Sequence, residues 1–138
     1  MLPRAMPALL LGILCESGAH AQQLPADAPP SQENAIGYAS PEDALKALQA
    51  KPGVNIREEN DWFLIDDASE KTLWSIATPR HAVYPTAVKR TLVQEKETEK
   101  IDIRMQVLCG ADKALCDDLV EQFRKVNAGL AESLNRKR

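Results

Sequence analysis

The stretch Ile101-Asp102-Ile103-Arg104-Met105-Gln106-Val107-Leu108-Cys109 alternates apolar with mostly polar side chains. After it, Leu115, Leu119, Phe123, Val126, Leu130 and Leu134 recur every three or four residues. A period of two sends alternate side chains to opposite sheet faces, so 99–109 reads as a strand with one buried face. A period near 3.6 puts the six later residues on one side of a helix of about six turns, from Lys113 to about Asn135. Asp112 stands at the cap position, Asp117 and Asp118 lie near the start, and Arg136, Lys137 and Arg138 follow the end. All carry the sign that the helix dipole favours. A strand leading into a long amphipathic helix predicts an α+β domain whose last helix packs on one face of a sheet.

Working upstream, β-branched and aromatic residues bounded by polar turns predict four more strands, near 54–58, 61–66, 72–78 and 86–95. Glu59-Asn60 suits a hairpin connection, and residues 66–71 form the next turn. Trp62-Phe63-Leu64-Ile65 is apolar on both faces. Such a strand needs cover on both sides, from two helices on opposite faces or from a partner. Asp61, Asp66 and Asp67 flank it with charges that oppose aggregation. Before the strands, Ser40-Pro41-Glu42-Asp43 has the cap, proline and acids of a helix start. Ala44, Leu45, Ala47 and Leu48 form its stripe, and Lys51-Pro52-Gly53 ends it. The expected order is α-β-β-β-β-β-α, with an antiparallel sheet of about five strands.

Residues 22–37 hold three prolines and little apolar surface, and read as a flexible leader to a single domain over 38–138. Residues 1–21 have the form of a signal peptide: Arg4, an apolar run from Ala5 to Cys15, then Ala19-His20-Ala21 as an A-x-A cleavage site. Leu14 stands where a lipidated cysteine normally follows a small residue, so cleavage after Ala21 is expected rather than lipid attachment at Cys15. No segment approaches the roughly 20 apolar residues of a membrane span. The expected product is periplasmic or secreted, and the sequence leaves its oligomeric state open.

The cut removes Arg4 and Glu16 together, leaving the net charge at −3. That balance lacks the basic field needed by a nucleic-acid partner. The cut also removes Cys15 and His20, so the mature chain keeps Cys109, Cys116 and His81. An even cysteine pair in an oxidising compartment predicts a disulfide between Cys109 and Cys116. The C-x6-C spacing is not that of thiol oxidoreductases, and two thiols with one histidine fall short of a structural zinc site. No metal and no cofactor are expected, since phosphate-loop, dinucleotide, EF-hand and H-E-x-x-H patterns are missing.

The loop Thr78-Pro79-Arg80-His81-Ala82-Val83-Tyr84-Pro85 combines two prolines with an arginine, a histidine and a tyrosine. Prolines hold a loop in one shape, and loops on rigid scaffolds often bind. Arg80, His81 and Tyr84, with Trp62 and Trp74 on neighbouring strands, are the candidate binding residues; no residue is assigned as catalytic. Lys89-Arg90 and the mixed charges of 95–100 read as solvated groups.

Trp74-Ser75 through Pro79, His81, Pro85 and Val88-Lys89-Arg90, together with the following strand and Cys109, resemble small exported bacterial proteins of unassigned function. The likeness spans roughly 38–135. Some of those proteins carry a J-domain chaperone label, but this chain lacks the His-Pro-Asp tripeptide through which a J domain stimulates its ATPase. The expectation is therefore a non-enzymatic binding protein of the cell envelope, with an envelope or secreted protein as partner. Its forms are an inhibitor or an assembly factor of chaperone-like kind. The rivals are a small hydrolase using His81 and a cup for an apolar ligand under Leu119, Phe123 and Val126.

Overall fold

The computed structural model describes residues 35–138; the expected signal peptide and residues 22–34 of the leader lie outside the described residues. Ser40 accepts a hydrogen bond from the Asp43 amide at 3.0 Å and opens α1 (Pro41–Ala50), with proline in its first turn. The strands follow as β1 (Asn55–Glu59), β2 (Trp62–Asp67), β3 (Thr72–Ala77), β4 (Thr86–Gln94) and β5 (Ile101–Cys109), and α2 (Lys113–Arg136) ends the domain. Neighbouring strands pair antiparallel in the order β1-β2-β3-β4-β5. The fold is α+β, in the element order expected from the sequence.

Between β1 and β2, Asn60 and Asp61 take positive φ angles of 50° and 62°. Two left-handed residues in succession match the tight hairpin turn whose twist suits the strands it joins. They set Glu59 opposite Trp62, and this register places Ile56, Ile65 and Trp74 in one row, with Phe63 opposite Ile76 on the same face. That face is closed by α1 and by the residues before it: Ile36, Ala44 and Leu48 pack with Ile65, Trp74, Ile76 and Ala87. Ile36, expected in the leader, is 1% exposed, so the ordered domain begins before residue 38.

Trp62, Leu64, Ala77, Val88, Met105 and Val107 fall on the opposite face, where Leu119 and Phe123 of α2 meet some of them. The two helices thus cover opposite faces of the sheet, which answers the doubly apolar β2. The cover is unequal, because α2 packs mainly along β5, the edge strand. Of the six residues in its apolar stripe only Leu119 is buried, while Leu115 is 41% and Val126 55% exposed. Asp112 occupies the N-cap position, but its side chain makes no capping hydrogen bond.

The sulfurs of Cys109 and Cys116 lie 2.08 Å apart, at disulfide distance, joining the end of β5 to the first turn of α2. At the other end Asn135 accepts from the Ile101 amide at 2.9 Å and donates to the Ile101 carbonyl at 3.0 Å. No helix among the described residues is long and apolar enough to cross a membrane.

Candidate functional site

The residues proposed from sequence do not form one surface. Trp74 is 4% exposed in the core, edge-on to Tyr38 at 5.9 Å, with the Lys89 ammonium 5.4 Å from its ring centre. Tyr84 faces the α1 side and donates its hydroxyl to Glu42 at 2.8 Å, and that hydrogen bond raises its pKa. Arg80 is tied to Asp61 through Nε at 2.8 Å and to Glu58 through a terminal nitrogen. Those two carboxylates hold its guanidinium more firmly protonated and occupy much of its donor fork.

Trp62 and His81 do come together. Their ring centres are 4.3 Å apart, and Phe123 from α2 meets Trp62 edge-on at 5.9 Å. The loop presents His81 through two successive turns, in which the His81 amide donates to the Thr78 carbonyl and the Tyr84 amide to the His81 carbonyl. The Val83 amide donates to His81 Nδ1 at 3.2 Å. Among the described residues no carboxylate bonds to His81, so no acid orients the imidazole as a general base. His81, Trp62, Phe123, Leu119, Gln122 and Val126 line a cleft of about 250 Å³ that opens to solvent beside Val126.

The same sheet face extends beyond this cleft. Alternation along β4 puts Thr86, Val88, Arg90 and Leu92 on the α2 side, and Arg90 pairs across the sheet with Leu73 on β3 and Met105 on β5. Leu64, Leu73 and Leu92 are only half-buried there. Arg90 itself is half-buried and sits 5.2 Å from the Phe123 ring centre. Its one side-chain hydrogen bond is a long one to Ser75 Oγ at 3.5 Å, and its Nε is buried without an acceptor. Burial lowers its pKa, though a guanidinium stays charged at any physiological pH. Arg90 is therefore not the solvated charge expected from sequence. Its position between Val88 and Leu92 in a period-two pattern was the available signal.

A second opening lies on the far flank of α2, a cleft of about 400 Å³ bordered by Ile103, Met105, Asn127 and Ala131. Asn127 is 7% exposed; it donates to Met105 Sδ at 3.4 Å, and its Oδ1 has no partner. Under α1, Asp67 is 3% exposed and receives hydrogen bonds from Lys51 and Ser69. Burial pushes its carboxyl up, but those donors and the Lys51 charge outweigh that effect and hold it below the usual carboxylate range. Asp67 thereby links the end of α1 to β2 and leaves no free oxygen for chemistry.

Fold and site together define a small α+β domain with α1 packed on one sheet face and, on the other, α2 along the edge strand beside an aromatic-lined cleft. No protein-family model, curated protein or solved structure matches the chain.

Proposed function

We propose that this chain is a small non-enzymatic binding protein of the cell envelope or secreted space. Its contact surface is the groove between α2 and the Trp62–His81 corner. One observation carries this reading: Trp62, His81 and Phe123 cluster at the mouth of an open cleft whose rim residue, Val126, is 55% exposed. Aromatic groups with apolar neighbours and a polar rim are the usual anchors of protein contacts. The disulfide-distance cysteine pair supports an oxidising compartment.

A photo-crosslinking residue at position 126, in the protein expressed in its own cells, is the direct test. One discrete adduct is expected, absent when the crosslinker replaces Tyr84 on the other side of the sheet and lost on Phe123→Glu. Equal adducts from positions 126 and 84, or none from 126, contradict the proposal.

A further inference from the structure

Twenty aspartates and glutamates are present in the chain, and Arg80 alone holds two of them, yet among the described residues none pairs with Arg90. Arg90 is half-buried with no acceptor at its Nε, and a charge drawn partly from water without a counter-charge is costly. Arg90 lies on the same sheet face as the groove, between Leu73 and Met105, with its guanidinium 5.2 Å from the ring centre of Phe123, one of the residues that line the groove.

From this we infer that the groove receives a segment of a partner protein that presents an aspartate or glutamate amid apolar side chains, with Arg90 as the charged anchor. The inference rests on the binding function proposed above and names the chemistry of the ligand. A single guanidinium on a chain of net charge −3 suits one carboxylate rather than a polyanion. A cleft open along Val126 suits the side chains of a peptide segment rather than an enclosed acyl chain. The carboxylate accepts from the terminal N–H groups of Arg90, while its apolar neighbours meet Trp62 and Phe123.

The test is a selection of random twelve-residue peptides on the full mature protein, run in parallel on Arg90→Met, Arg90→Lys and Val126→Glu. On the wild type, enriched peptides are expected to carry Asp or Glu beside aromatic or aliphatic residues. On Arg90→Met the acid is expected to lose enrichment while the apolar residues keep it. A synthetic peptide from the wild-type selection should bind Arg90→Met about 10–100-fold more weakly, the worth of one charge-assisted hydrogen-bonded pair. Its Glu→Gln analogue should show the same loss on the wild type and little further loss on Arg90→Met. Arg90→Lys, which keeps the charge without the fork, should fall between. Arg90→Met should also melt no lower than wild type, because it removes an uncompensated charge from a half-buried site. Apolar peptides without acid enrichment would overturn the inference and leave the groove standing. No enrichment over Val126→Glu would sink both, and saturable binding of dodecanoate without peptide enrichment would overturn the inference in favour of a lipid.

Discussion

Gly110 follows β5 where the chain touches Pro85: a Cβ built on it falls 2.8 Å from Pro85 Cγ and 2.9 Å from the Pro85 carbonyl oxygen. Its amide donates to that same oxygen at 2.7 Å, so the backbone has nowhere to retreat. Gly110→Ala is expected to destabilise the domain by about 1–3 kcal/mol, read from the urea midpoint. Asp67 makes a different prediction, because its carboxyl has a lowered pKa in the fold. A depressed carboxyl pKa gives stability that is present above the unfolded-state value and is lost as pH falls through the folded-state value. Wild type should therefore lose stability on acidification below about pH 4, and Asp67→Asn should show a flatter profile there and a lower midpoint at neutral pH. Residues of this kind were only partly legible. Composition marked Asp67 as a charge beside an apolar strand, but its pairing with Lys51, 16 residues upstream, depends on where α1 docks. Arg90 shows the same limit from the other side: the strand pattern puts it on an apolar face, but only the assembled sheet shows that its Nε is buried without an acceptor.

At the scale of an element, α2 is held by its ends. Its start is joined to β5 by the cysteine pair, and near its end Asn135 occupies both backbone groups of Ile101 on the edge strand. Between them, Leu119 and Asn127 are the buried residues, and one of those is polar. In the loop-entropy account, so short a closed loop is worth about 2.5 kcal/mol. Cys109→Ser with Cys116→Ser should lower unfolding stability by about that amount, whereas Asn135→Ala should chiefly raise amide exchange in the last turns of α2. Equal exchange along the whole helix in both variants would contradict end-anchoring. The period of α2 and its length were plain in the sequence, because Leu115 to Leu134 repeat at helical spacing. Which side meets the sheet was not. The helix follows an edge strand, so part of its stripe overhangs the uncovered half of the face, and Leu115 and Val126 remain exposed.

For the whole molecule, the doubly apolar β2 already required cover on two sides, and the meander of five strands followed from period and turn chemistry. The site was less legible. Trp62, Trp74, His81 and Tyr84 are close in sequence terms, yet strand alternation and the turn at 78–84 divide them between the two faces and the core. Phe123, which completes the groove, comes from a helix about 40 residues beyond the loop; its place in the apolar stripe was legible, but its meeting with Trp62 was not. The binding surface proposed above requires Trp62 to stand at an open cleft on the α2 side, while Trp74 is buried on the α1 side, so the two tryptophans report one side each. The deciding measurement is acrylamide quenching of tryptophan emission in wild type and in Trp62→Phe, whose difference isolates Trp62. Trp62 is expected to be quenched several-fold more strongly than Trp74, and to be shielded when a groove-binding peptide is added. Protection of Trp62 equal to that of Trp74 in the free protein would mean that the groove is closed, and would contradict the account.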